Sequence, residues 1–253
     1  MCGRMKKSIV LASSAIVIIV AAVLIVGFIQ GGSGSFMKID GEEVSEEEYF
    51  QIMEETRFSV SQYFLEKYST ALGTLDEWET EYEGENPVRI MMDHAVRALA
   101  YRRAVYKLAE ERGYVGDDGY EALLERWHNE NEEREKSLEQ GQIVYGLTQF
   151  SLEQYISYEL EALEQQFLND KNNKELEISQ QEREEYFRNN EWTGPDGFSE
   201  PQLDEIQSVV DAALQKERYR ELIAEYEEGL KVWIDEGKLY DVTLEKIRKW
   251  YGE

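Results

Sequence analysis

One stretch limits the chain more than any other. Residues 9–29 read IVLASSAIVIIVAAVLIVGFI, with no charge and with Ser13 and Ser14 as the only polar side chains. About 20 apolar residues at roughly 1.5 Å rise suffice to cross a hydrocarbon core of about 30 Å. Arg4, Lys6 and Lys7 precede the run, and no acid occurs before Asp40. The basic start predicts a short cytoplasmic tip, residues 9–29 as a transmembrane anchor, and export of everything after Gly31. A cleaved signal peptide shares the basic start and apolar middle and is the alternative, since Ser33-Gly34-Ser35 is small enough to be cut. The expected localisation is therefore single-pass in the cell membrane, with an extracytoplasmic C-terminal domain, or secreted if the segment is removed.

Residues 30–35 (QGGSGS) form a flexible linker, and residues 36–253 form one substantial domain. Cys2 lies before the apolar run, so the exported part has no cysteine and must fold without disulfides. That part holds all 53 acids but only 24 of the 27 basic residues, giving it a formal charge of −29. Such a surface repels nucleic acid and anionic head groups, and it suits basic or unfolded cationic partners.

The soluble part is rich in helix formers, with only three prolines. Asp40-Gly41 signals a hairpin between two short extended pieces. Residues 45–48, 151–154 and 179–182 are capping boxes, and Asn86-Pro87 opens a strong helix that ends at Gly113. Residues 75–84 read as a loop or short helix, 117–140 as a polar helix, and 143–150 (IVYGLTQF) as a connector. Pro201 opens a helix expected to reach residue 236, about 54 Å long and able to brace several neighbours. Residues 239–244 (LYDVTL) are expected to pair with the hairpin at 37–44. The fold class is thus mainly α, with a long C-terminal helix and a small terminal β element.

Chemistry is sparse. His94 lies within an apolar helix and reads as a core or half-buried residue, while His128 lies in a charged helix and reads as exposed. They share no metal spacing and have no thiol nearby. The acidic runs at 46–48, 117–118 and 130–135 lack the alternating ligands and glycine of a calcium loop and read as solvated helix faces. No nucleophile elbow, phosphate loop or dinucleotide pattern is present. No catalytic, cofactor-binding or metal residue is assigned, and no cofactor is expected. Client-contacting residues are not assigned either, although Met53, Met91 and Met92 have the adaptable side chains of a client surface as well as those of a core.

The order of the pieces resembles the SurA/PrsA/trigger-factor-like family of foldases. Residues 38–49 (KIDGEEVSEEEY) look like that family's strand-turn opening. Residues 108–114 (LAEERGY) resemble its helix end, and 145–160 (YGLTQFSLEQYISYEL) its following helix start. Residues 178–190 (ISQQEREEYFRNN) resemble its penultimate piece, and 203–231 its C-terminal helix. Members carry a parvulin-type prolyl isomerase domain between the last two pieces. Here Asn190 to Pro201 is an eleven-residue step, which leaves no room for one. The resemblance implies the chaperone module alone: a helical surface that holds unfolded exported polypeptides, without isomerase activity. A non-catalytic scaffold or regulatory partner of a membrane complex is the competing expectation, and an enzyme with an unrecognised site is a third.

Overall fold

The computed structural model describes residues 34–194 and 197–252. The apolar run at 9–29 and most of the 30–35 linker lie outside the described residues. Among the described residues, no helix is long and apolar enough to cross a membrane. That finding corrects the fold class to a mainly α domain with no membrane-spanning helix among the described residues. It removes the support for a single-pass localisation and for a membrane partner. The physical reason is visible along each long helix, where charged residues recur turn after turn and each would cost about 2.5–3.5 kcal/mol at a bilayer centre.

The described chain is helical with one small sheet. Strands β1 (Met37–Ile39) and β2 (Glu42–Glu43) lead into α1 (Glu46–Tyr68), α2 (Leu75–Glu79), α3 (Pro87–Glu111), α4 (Tyr120–Glu139) and α5 (Leu152–Asn169). A 3-10 turn at Lys174–Leu176 precedes α6 (Gln180–Asn189), α7 (Leu203–Gly229), β3 (Val232–Ile234) and α8 (Glu236–Trp250). Asp40 and Gly41 both have positive φ, 50° and 90°, the geometry of a two-residue hairpin turn that suits Asp-Gly. The sheet runs β2-β1-β3, all antiparallel, with Met37 opposite Ile234 and Ile39 opposite Val232.

The third strand is Val232–Ile234 and not the expected segment at 239–244. Gly229 ends α7, short of the expected residue 236, and Asp235 caps α8 by accepting a bond from the Lys238 amide. Leu239, Thr243 and Ile247 are buried at spacings of four, one face of a helix. The chain therefore spends residues 232–234 on the sheet and 239–244 on a helix. At 27 residues α7 spans about 40 Å, with non-helical dihedrals at Ile206.

Helix α3 is the hub, packed by α1, α7 and α8. Its Met91, Ala95 and Leu99 are fully buried, and Tyr49, Ile52, Met53 and Phe64 meet it from α1 in the same core. Two ion pairs pin α1 to α3: Arg102 Nη2 lies 2.6 Å from Glu55, and Arg103 Nη2 lies 2.9 Å from Glu48. Both arginines are buried, so removing either carboxylate would strand a cation in low dielectric. Early and late described elements meet. Tyr49 Oη and Thr243 Oγ1 are 2.8 Å apart, and the fully buried Trp78 donates from Nε1 to Tyr251 Oη at 3.0 Å.

Candidate client-binding surface

Helix α4 leaves the body almost at once. Only Tyr120 and Leu123, in its first turn, are buried. Twenty residues give it a length of about 30 Å; with α5 and the loop between them it forms an arm whose α5 side is packed against α3 and α7. The arm is fastened at its base by Glu159. This buried carboxylate accepts from Tyr106 Oη of α3 (2.7 Å), Tyr155 Oη (2.8 Å) and Arg126 Nε of α4 (2.8 Å). Burial, and then the charge of and hydrogen bond to Glu159, push both tyrosine hydroxyls up, so they remain donors.

The loop at 140–150 that closes the arm is tied down through its backbone. Trp127, Asn131 and Arg134 fall on one face of α4. Trp127 Nε1 donates to the Phe150 carbonyl at 2.9 Å. Asn131 pairs with both backbone groups of Phe150, donating from Nδ2 at 2.9 Å and accepting at Oδ1 at 2.8 Å. Arg134 donates to the carbonyls of Tyr145 and Leu147 at 3.2 and 2.7 Å, is held by Glu130, and lies over the Phe150 ring at 4.4 Å. Phe150 is buried and stacks on Tyr158 at 5.1 Å.

Other large side chains of the loop and of the helix positions flanking it are exposed. Tyr145 is 84% exposed and Ile143 78% exposed, with Leu147, Leu138 and Tyr158 each near 45%. Single exposed apolar residues are ordinary, but several grouped on one loop mark an interaction site. Here polar side chains satisfy the loop's backbone while its large apolar side chains are held out. Beside the tip lies an open groove of about 580 Å³ between α4 and the loop.

The sequence reading assigned these residues no role beyond a connector. The usable signal was five large apolar side chains between Gly141 and Ser151, where a linking loop is normally polar. The methionines with two possible roles are core: Met53 and Met91 are fully buried and Met92 nearly so. His94 is half-buried on α3, with Nδ1 3.3 Å from Ser59 Oγ, and burial lowers its pKa. His128 is exposed on α4, where its ring lies 4.5 Å from that of Trp127. Among the described residues, no group of three or more His, Cys, Asp or Glu side chains is arranged to hold a metal.

A helical body with a pre-tied apolar loop has the build of a protein that holds other polypeptides, and comparison with known proteins agrees: the chain belongs to a chaperone family. The relative that shows this is the chaperone for lacto-N-biosidase from Bifidobacterium longum subsp. longum. It is 31% identical over 189 residues, which cover 75% of this chain and 67% of the relative. No family model matches the chain, and no solved structure matches it. The family shown is thus that of this chaperone, and membership of the SurA/PrsA/trigger-factor-like family gains nothing from these comparisons.

Proposed function

We propose that the chain is a dedicated chaperone that holds a partly folded client through the apolar tip of the α4–α5 arm. Its client is a lacto-N-biosidase or an enzyme of that kind, and it acts by holding alone, as a SurA-type chaperone module without prolyl isomerase activity. The observation that carries the reading is the exposure of Ile143 and Tyr145 on a loop whose backbone is fastened by Trp127, Asn131 and Arg134. A loop exposed by mere looseness would not recruit three side chains of one helix to fix it. Kinship with the chaperone for lacto-N-biosidase supports the choice of client. The short connection from α6 to α7 supports the absence of isomerase activity.

The test is refolding of a denaturant-unfolded lacto-N-biosidase, with recovered hydrolytic activity as the readout. Stoichiometric chain should raise the yield severalfold, and the triple variant Ile143→Ser, Tyr145→Ser, Leu147→Ser should remove most of the gain while its helical circular dichroism is unchanged. No gain with the unaltered chain would sink the dedicated-chaperone reading. A prolyl-isomerase assay on the same sample should show the uncatalysed rate, and acceleration would refute the holding-only reading.

A further inference from the structure

We infer that the groove beside the tip is a subsite for a cationic side chain, an arginine or lysine of a client segment whose apolar neighbours lie on Ile143 and Tyr145. This inference rests on the chaperone reading and adds the chemistry of the segment that is recognised.

The groove is lined by the Trp127 and His128 rings, the carboxylates of Glu132 and Glu135, and Leu138 and Thr148. An indole wall and two carboxylates are what a guanidinium or ammonium group needs, since the ring face attracts the cation and a carboxylate receives its hydrogens. The charges nearby do not already cancel. The Glu135 carboxylate has no ion pair or hydrogen bond among the described residues. Glu132 pairs with Lys136 across an i,i+4 step at 3.2 Å, and both side chains are about two-thirds exposed. Such a pair is weak and yields to a better-placed cation. The remaining basic group on this stretch, Arg134, is committed beneath the loop to Glu130 and to two carbonyls.

The position of the groove matters as much as its lining. Leu138 belongs both to the groove and to the exposed apolar set, so the two surfaces are continuous. A segment seated on the tip with an extended backbone would carry its next side chains into the groove. The net charge of −26 adds a long-range attraction for basic segments but does not by itself place them. The groove supplies the place.

The experiment uses the full chain and short fluorescein-labelled peptides in which Leu and Tyr alternate with either Arg or Gln, read by fluorescence anisotropy. The Arg peptide should bind about tenfold tighter than the Gln peptide at low salt, and the preference should shrink as salt rises. In the variant Glu132→Gln, Glu135→Gln the preference should fall to about twofold or less. Gln keeps the helix propensity of Glu, so the arm should remain folded. The control Glu221→Gln, Glu228→Gln removes the same charge from α7 and should keep the preference. Equal binding of the two peptides by the unaltered chain would overturn the subsite, and so would a preference that survives in the groove variant or disappears in the control. The refolding assay separates the two claims. Rescue of lacto-N-biosidase without any Arg preference defeats the subsite and leaves the chaperone reading standing. An Arg preference that obeys the groove variant, without rescue, upholds the subsite and defeats the client assignment.

Discussion

Asp40 shows how much one residue can carry. It occupies the first position of the hairpin turn with φ of 50°, accepts the Lys231 amide at 2.8 Å, and meets Lys107 Nζ at 2.5 Å. Its burial favours the neutral acid, but the hydrogen bonds from Lys107 and from the Lys231 amide, together with their charges, outweigh it and hold the carboxyl below its usual range. Glu54 is lowered in the same way against its own burial, by Lys246 and Trp250. A carboxylate with a depressed folded pKa stabilises the fold at pH above its unfolded value. That stabilisation is lost as pH falls through the folded value, so this pair should cost stability below about pH 4. Glu48 acts in the opposite sense, because burial raises it despite Arg103, and protonating it relieves a desolvated charge. Asp40→Asn keeps a residue that accepts the positive-φ turn while removing the charge. Urea unfolding of this variant across pH should show lower stability at neutral pH and a shallower decline on acidification than the parent chain. An unchanged acid limb would mean that Asp40 is not among the carboxylates that set it.

Helix positions were legible from the sequence wherever a cap and an apolar stripe agreed. Ser151 and Gln154 form the predicted capping box of α5, and Ile156, Leu163 and Phe167 line its buried face. Where two periods coexist, local pattern fails. Residues 239–244 alternate like a strand and also repeat every fourth residue like a helix, and the Asp235 cap decides for the helix. The arm tip was illegible for another reason: exposure of an apolar loop is set by which side chains of α4 capture its backbone, and no local pattern records that. Arg134 tests the point at the scale of the element. Arg134→Ala releases the carbonyls of Tyr145 and Leu147 and the cover over Phe150, at a cost of about 1–2 kcal/mol. Because the partners of Arg134 all lie on α4 and the loop, that cost should fall on the tip. Exchange of the Gly141, Gln142 and Phe150 amides, the hydrogen-bonded ones of this loop, should accelerate roughly 5–30-fold, the exchange equivalent of that energy, while the global urea midpoint barely moves. A matching loss of global stability would show that arm and body unfold as one unit.

The whole molecule divides into a closed body, into which α5 is packed, and an α4 helix whose only buried residues lie in its first turn. The body is closed by contacts between distant parts of the chain: β1 with β3, Tyr49 with Thr243, Trp78 with Tyr251. Amide exchange should grade accordingly, with α3 and the β1–β3 amides exchanging only on global unfolding and the outer half of α4 exchanging far faster. Thr243→Val removes the buried partner of the Tyr49 hydroxyl at nearly constant volume. It should lower global stability by about 1–3 kcal/mol, the usual cost of stranding a buried polar group. Peptide binding at the tip should be untouched, and a parallel loss of tip binding would refute the division.

The same closure governs how the protein is made. Tyr49 and Thr243 stand 194 positions apart, and at about 5–20 residues per second a ribosome needs roughly 10–40 s to travel from one to the other. Throughout that interval the first strand has no partner on its β3 side, and the Tyr49 hydroxyl has no partner from α8. The nascent chain therefore presents an open strand edge until its final residues emerge. During its own synthesis a member of a chaperone family thus passes through the exposed condition that chaperones attend to in other chains.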